Sequence, residues 1–313
     1  MTHNLNSRKL FVTLLLVVFT IISSQAKKYN LKLNLKKGET YQQVSKANSN
    51  ILQEFGGQKI NMKMNITGVT SYKVLAVNSN EYDIEARMTQ MDFVMEVANR
   101  KMAFSSTKAD SSDVFSSILK MMTNKPFNIK MTKYGKVTKI TNLSELWDGV
   151  IDQFPQLNAM QKIQMKEQIN NAYGDKAFRG NIELATAIYP NHKVRKEDKW
   201  TIDTKLQAGL SADIQTEYQL SEINSKQAVI VGKGKVSTSV NSSSIEKNGM
   251  KMQFDLSGAT DAKIKIDRKS GWIIEATTTQ DIKGEAKVES TPQLPNGMSI
   301  PMEFKTTSTI TNK

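Results

Sequence analysis

The chain of 313 residues contains no cysteine. It can therefore form no disulfide, no thiolate nucleophile and no cysteine-ligated zinc site. A protein of this length that lacks disulfides must obtain its stability from a large apolar core. We expect a folded protein that depends on packing alone.

Long apolar runs are scarce. The one run of note spans residues 10–22, follows Arg8 and Lys9, and precedes the small residues Ser24 and Ala26. This order is typical of a secretory signal peptide, and the run is too short for a permanent membrane helix. We predict a signal peptide at 1–26 and a mature chain from Lys27. Since no cysteine follows the cut, we expect a soluble exported protein of the periplasm or extracellular space that is not a lipoprotein and has no transmembrane segment.

Histidine is almost absent, and the predicted mature chain retains only His192. A serine–histidine nucleophile system would have to use this residue, and no Gly-x-Ser-x-Gly motif accompanies it. The sequence also has no phosphate loop, dinucleotide-binding glycine motif or metalloprotease motif. We therefore predict a non-enzymatic protein with no catalytic residues, no cofactor and no metal site.

The charge is strongly basic, with a formal net charge of +13. Most basic residues are lysines at scattered or alternate positions, such as Lys233 and Lys235. Alternate lysines are typical of solvated strand faces, whereas nucleic-acid sites cluster their charge and favour arginine. We expect no nucleic-acid partner. Weak attraction to an anionic membrane surface or polysaccharide stays open.

Hydrophobic periodicity favours strands in most of the chain. Leu31, Leu33 and Leu35 alternate with polar residues, and similar alternation recurs up to residue 106 and again after residue 193. A helical period follows Ser111 or Ser112 and returns between 143 and 190. We predict a β-rich α+β fold: two curved antiparallel β units of similar architecture, at 27–142 (with one short helix) and 191–313, joined by a helical connector at 143–190.

Three stretches of the mature chain match a known pattern. They are Leu35-Lys36-Lys37-Gly38-Glu39-Thr40-Tyr41, Phe127-Asn128-Ile129 through Gly135-Lys136-Val137, and Tyr189-Pro190 followed by Asp198-Lys199-Trp200. In these the chain resembles a family of exported bacterial proteins, typical of Bacteroidota, that is catalogued only as a domain of unknown function. The motifs are turn and strand-start signals, so the resemblance implies no catalytic residues. Glu197 departs from the pattern, which has glycine before the aspartate.

Methionine is abundant, with 16 residues. Some occur in alternate pairs within predicted strands, and their thioethers could in principle hold Cu(I). Alternate methionines more often form one packed face of a sheet, and they also suit a pliable pocket for an apolar ligand. The candidate ligand-binding residues are Met62, Met64, Met250, Met252, Phe115 and Ile118.

Three functions remain open. The leading hypothesis is an exported cell-envelope protein that binds an apolar ligand or another envelope component. The rival is an envelope hydrolase that uses carboxylates such as Asp110 and Asp113, although both can also cap a helix. The third is a structural or surface-adhesive module with an exposed apolar or basic patch. The sequence does not predict an oligomeric state.

Overall fold

The computed structural model describes residues 27–98, 100–108, 113–207, 211–238, 244–247, 250–291 and 294–312. The strands in these ranges are β1 Thr40–Phe55, β2 Gln58–Val77, β3 Glu81–Val97, β4 Arg100–Ser105, β5 Pro126–Thr132, β6 Val137–Thr141, β7 Lys199–Gln207, β8 Ser211–Ile223, β9 Gln227–Ser237, β10 Ser244–Lys247, β11 Met250–Asp267, β12 Ile273–Val288 and β13 Met298–Asn312. The helices are α1 Val114–Met122, α2 Leu143–Asp152, α3 Ala159–Tyr173 and α4 Asp175–Thr186. None of these helices is both long and apolar enough to cross a membrane.

The strands form one antiparallel sheet, in the order β6-β5-β3-β2-β1-β13-β12-β11-β9-β8-β7, with β4 on β3 and β10 on β11. The predicted β-rich α+β class is confirmed. The two predicted β units meet within this sheet because β1 pairs with β13, from Gln43 opposite Asn312 to Gln53 opposite Met302. The predicted connector holds α2, α3 and α4, while the domain boundaries stay a prediction.

The two faces of the sheet differ in chemistry. The inner face packs against the helices and holds alternate apolar residues such as Tyr72, Ile230 and Ile264. A bulge at Thr89 changes the alternation in β3, because Val69 pairs with Gln90 while Thr70 pairs with Met88. Met88 and Met91 are therefore both buried on the inner face, although three positions separate them.

The principal core lies between the inner face and the helices. Ile118 of α1 and Trp147 of α2 are almost completely buried in it. Full burial of an apolar side chain contributes about 1.5–3 kcal/mol, so packing against the sheet holds these short helices in place.

An extended N-terminal segment around Leu33 and Asn34 closes one end of this core. Its backbone amides at Leu33 and Asn34 donate to the carbonyls of Lys133 (2.8 Å) and Ser270 (2.7 Å), which belong to turns in opposite halves of the sheet. The hydroxyl of Tyr82 also donates to the Leu33 carbonyl, at 3.0 Å. The segment therefore ties the two halves together at what we call the closed end.

Helix α4 reaches both terminal strands of the sheet order. The Val137 amide at the start of β6 donates to Glu183 of α4 at 2.8 Å. The indole of Trp200 in β7 donates to the Ile188 carbonyl, just after α4, at 2.9 Å. The sheet consequently curls around the helices, and α4 contacts both terminal strands.

Candidate functional site: an apolar trough on the inner face

The long central strands extend well beyond the helices. Strands β1, β2, β11, β12 and β13 contain 15 to 20 residues each, which corresponds to about 50–65 Å of extended chain. Towards the end opposite the closed end, their inner face remains largely apolar: it is half-buried on β1, β2 and β13, whereas Phe254, Leu256 and Ala286 of β11 and β12 are buried there. We call this surface the inner trough, and it comprises Ile51, Met62, Met64, Ile282, Met302 and Phe304.

Strand pairing brings these side chains into rows. Ile51 lies opposite Met62 on one side and opposite Phe304 on the other. Phe304 in turn lies opposite Ile282. Directly paired residues have Cβ atoms about 5 Å apart, so the row is a continuous apolar surface across four strands.

The rim of the trough exposes further large apolar residues. Phe55 at the tip of the β1–β2 hairpin is 51% exposed, and Ile60 and Met102 are 38% and 40% exposed. Exposed apolar residues that extend an apolar surface mark an interaction site more often than isolated ones do.

The methionines predicted to bind a ligand lie on this face in two places. Met62 and Met64 are half-buried members of the inner trough. Met252 lies four strands away in β11, against the small buried cluster of Phe254, Leu256 and Ala286. Met250 begins β11, but its side chain lies outside the described part of the structure.

The two predicted helical residues differ in accessibility. Phe115 is half-buried and makes edge contacts with Phe93 (6.1 Å between ring centroids) and Phe104 (4.9 Å) on the inner face. Ile118 is 0% exposed and belongs to the packed core. Phe115 can therefore contact a ligand, whereas Ile118 packs in the core and holds α1 against the sheet.

A band of small polar residues separates the inner trough from the helix-packed core. This polar shelf comprises Gln43, Ser45, Ser49, Thr278, Thr306 and Ser308. The hydroxyls of Ser49 and Thr306 are hydrogen-bonded at 2.9 Å, and Ser45 donates to the Gly68 carbonyl at 3.3 Å. Gln43 is only 8% exposed, and its Nε2 has no hydrogen-bond partner among the described residues.

Charge is confined to the other face of these strands. Among the described side chains of β1, β2, β11, β12 and β13, the inner face contains no lysine, arginine, aspartate or glutamate. On the outer face Glu303 forms ion pairs with Lys305 (3.1 Å) and Lys283 (3.2 Å). Hydrogen bonds from these two ammonium groups lower the pKa of the Glu303 carboxyl. On these five strands the described inner face is thus uncharged and the outer face is charged.

Tyrosines of the inner face are neutral as well. Burial raises the pKa of Tyr72 to about 12, against a weaker opposing effect of its hydrogen bond with Thr70. Burial likewise raises the pKa of Tyr218 to about 12. Both phenols stay protonated across the physiological range, so they add no charge to the inner face.

The residues considered for catalysis have structural surroundings. Asp113 caps α1 by accepting from the Ser116 amide (3.1 Å) and from the Ser116 hydroxyl, and Asp110 lies outside the described residues. His192 is exposed, and its ring Nδ1 lies 3.0 Å from the side-chain oxygen of the neighbouring Asn191. Across the described ranges, no three metal-ligating side chains come together.

Two open grooves lie on the outer face instead. One, of about 720 Å³, is lined by charged residues that include Glu217, Lys233 and Asp261. The other, of about 380 Å³, lies beside the Lys130–Asp83 ion pair. Neither includes a residue of the inner trough or the polar shelf.

Sequence reasoning found part of this site. The alternate methionines of β2 identified one side of the trough. Ile282 and Phe304 also alternate with polar residues, whereas Ile51 is followed by Leu52, and only the pairing of β1 with β13 brings the three beside Met62. Gln43 was missed, because a glutamine in a polar strand gives no sign that it is buried.

The described residues define an α+β protein whose single curled sheet presents a neutral apolar trough. The chain belongs to the family of unknown function DUF6263, whose model matches residues 79–273. Membership of a family of unknown function, as the sequence predicts, is confirmed. No curated protein matches the chain.

Solved structures show a likeness in fold. A structure described as "lipid-protein interactions in lipovitellin" is similar with a TM-score of 0.50 at 10% identity, over 90% of this chain and 25% of that one. The chain thus spans about a quarter of the length of that protein. An outer membrane channel from Pseudomonas putida F1 and the outer membrane protein OprG from Pseudomonas aeruginosa each match at 8% identity and a TM-score of 0.24. Each of the two matches covers 90% of this chain. They extend over 97% of the channel and 99% of OprG. Scores at that level carry no argument about this protein.

Proposed function

We propose that this protein is an exported binding protein of the cell envelope that holds an apolar or amphiphilic small molecule in the inner trough. One observation carries the proposal: half-buried apolar side chains continue along the inner face beyond the point where the helices cover it. A ligand that covers this surface gains about 25 cal/mol for each Å² of apolar area removed from water.

The composition of the trough suits a flexible ligand. Met62, Met64 and Met302 have unbranched, polarizable side chains that adapt to chains of different shape. The likeness in fold to lipovitellin, whose structure is described in terms of lipid–protein interactions, is compatible with a lipid-like ligand.

Export is part of the proposal and rests on residues 8–26 of the sequence. Their basic start, apolar run and small residues before Lys27 are typical of a cleaved signal peptide. N-terminal sequencing of the protein purified from its native cells should give Lys27 as the first residue. A protein that retains Met1 would contradict export by this route.

Substitution within the trough tests the binding site. Replacing Met64 by glutamine puts a polar amide of similar size on the apolar surface. We expect about 5–30-fold weaker binding, which corresponds to about 1–2 kcal/mol of lost apolar contact. Asn65→Gln is the matched control, since Asn65 is the next residue of β2 and is exposed on the outer face.

The measurement is displacement of Nile red from the delipidated mature chain, with native mass spectrometry of gently purified protein as a second readout. The proposal predicts dye binding, a co-purified small molecule, and weaker binding in Met64→Gln alone. A clean apo mass together with absent dye binding would contradict it, as would equal effects of the two substitutions.

A further inference from the structure

One basic residue lies on the inner face at the rim of the trough. Arg100 is the first residue of β4, and it lies directly opposite Val97 of β3. Val97 in turn lies opposite Met62 of the inner trough. Directly opposite residues of paired strands share one face of the sheet. Arg100 therefore adjoins the apolar surface that the proposed ligand covers.

Arg100 is accessible and has no counter-ion in the described part of the chain. Its side chain is exposed, and it forms no ion pair or hydrogen bond with the residues that the structure describes. Of the described side chains on the inner face of β1–β4 and β11–β13 around the trough, Arg100 alone is charged. A charged ligand head at this rim would therefore meet one cation and no acid on the inner face.

An apolar row leads from Arg100 across the sheet. Successive strand pairings place Val97, Met62, Ile51 and Phe304 side by side, in this order. Since neighbouring strands lie about 4.8 Å apart, the three steps from Val97 to Phe304 cover about 14 Å. The tail of a membrane lipid fills one leaflet of the hydrocarbon core, which is about 15 Å thick. One lipid tail therefore fits this row when its head lies at Arg100.

Arginine is well suited to hold an acidic head in this position. Its guanidinium is planar and permanently charged, and it can donate two parallel hydrogen bonds to a carboxylate or phosphate. Its hydrocarbon stem can cover apolar surface while the charged end stays hydrated. A carboxylate placed further along the row would lose its hydration without meeting a cation, which makes the reverse orientation unfavourable.

We infer that the ligand is an acidic amphiphile, whose carboxylate or phosphate head pairs with Arg100 at the rim and whose tail crosses the strands along the row from Val97 to Phe304. This inference rests on the function proposed above. It adds the charge of the ligand and its orientation in the trough.

Laurate and monolaurin test the charge of the head, because they carry the same tail and only laurate is anionic at pH 8. Each is titrated against Nile red bound to the delipidated mature chain. An ionic strength of about 0.15 M screens surface charges that lie more than about 8 Å from the ligand. In Arg100→Gln we expect the affinity for laurate to fall about three- to fivefold and that for monolaurin to stay unchanged.

Lys101→Gln is the matched control. It removes the same charge from the next residue of β4, which lies opposite Glu96 on the outer face. We expect this variant to bind both probes as the wild type does. An unchanged laurate affinity in Arg100→Gln would overturn the inference and leave the proposed function intact. An equal loss in the two variants, or an equal loss for the two probes, would overturn it as well. Failure of both probes to displace the dye from the wild type would instead contradict the proposed function.

The orientation of the ligand is measured on the wild type, so this test does not depend on the folding of a variant. A nitroxide at the far end of the laurate tail broadens the NMR signals of nearby ¹³C-labelled methionine methyl groups. Met102 lies two residues from Arg100 on the same face of β4, and Met302 lies two residues from Phe304 on the same face of β13. We expect stronger broadening of Met302 than of Met102. Equal or stronger broadening of Met102 would overturn the inference.

Discussion

Glu197 occupies a backbone position that favours glycine. Its φ of 70° lies in the left-handed region, and the turn around it is closed by hydrogen bonds from the Glu197 amide to Leu220 (2.8 Å) and from the Asp198 amide to Arg195 (3.2 Å). The sequence pattern that carries the family resemblance has glycine at this point. The tight turn is therefore formed even though glutamate replaces the expected residue.

Glu197→Gly should stabilise the protein. A non-glycine residue in the left-handed region costs about 1–2 kcal/mol, partly offset by the greater backbone entropy of glycine in the unfolded chain. The glutamate's contacts, with Gln219 at 2.9 Å and Lys196 at 3.9 Å, are solvent-exposed and contribute little. We expect a gain of about 1 kcal/mol in the free energy of unfolding, measured by urea denaturation. Lys196→Gly, the neighbouring control without a positive φ, should lower stability. A loss in Glu197→Gly would contradict this account.

At the scale of single residues, the sequence predicts which side chains share a face better than it predicts which side chains are buried. Met62 and Met64 could be assigned to one face because strand side chains alternate. Gln43 could not be recognised, because its burial depends on β2 and β13 lying on either side of β1. A pairing between residues 43 and 312 leaves no trace in local periodicity.

The short helix α1 illustrates how an element depends on one cap. Asp113 accepts from the Ser116 amide, and the helix then buries Ile118, Leu119 and Met122 against the sheet. The sequence predicted this helix and its apolar side. The same carboxylate also supported the hydrolase alternative, which gains no support from its position at the helix start.

Asp113→Ala should lower the free energy of unfolding by about 1 kcal/mol, the usual loss for an N-cap. Asp113→Asn, which keeps a side-chain acceptor, should retain most of the stability. Chemical denaturation measures both variants, and displacement of Nile red should be the same in each as in the wild type. Loss of ligand binding in both variants at unchanged stability would assign Asp113 a functional role instead.

The sequence predicts where most of the strands lie, but it does not predict which strands pair. Alternation located most of them. The turn after β2 lies at Asn78–Asn80, where the Asn78 amide donates to the Glu81 carbonyl at 2.8 Å. The bulge at Thr89, which allows Met88 and Met91 to share a face, has no clear sequence signal. Local patterns record which residues are apolar, whereas registers are set by contacts across the sheet.

At the scale of the whole molecule, the two halves form one curled sheet. The β1–β13 pairing joins them in the middle, α4 contacts both edges, and the N-terminal segment connects their turns at the closed end. The predicted class is correct because composition and periodicity determine it. The union of the halves was not predicted, since it depends on contacts between residues far apart in the sequence.

This arrangement accounts for the trough. Helices fill the inner face near the closed end, and the long central strands continue beyond them with apolar residues inside and charged residues outside. A surface of this kind remains half-exposed unless another molecule covers it. The central claim is therefore that an amphiphile binds on the inner face, beside Met62 and Met64.

Methyl NMR of the protein with ¹³C-labelled methionine tests this claim most directly. Met62 and Met64 report on the trough, Met122 and Met131 are buried in the core at 1% and 0% exposure, and Met160 is 62% exposed on α3. On titration with monolaurin, the account predicts saturable shifts of the Met62 and Met64 methyl signals, with those of Met122, Met131 and Met160 unchanged. Unchanged Met62 and Met64 signals at saturating ligand, or shifts confined to Met160, would contradict it.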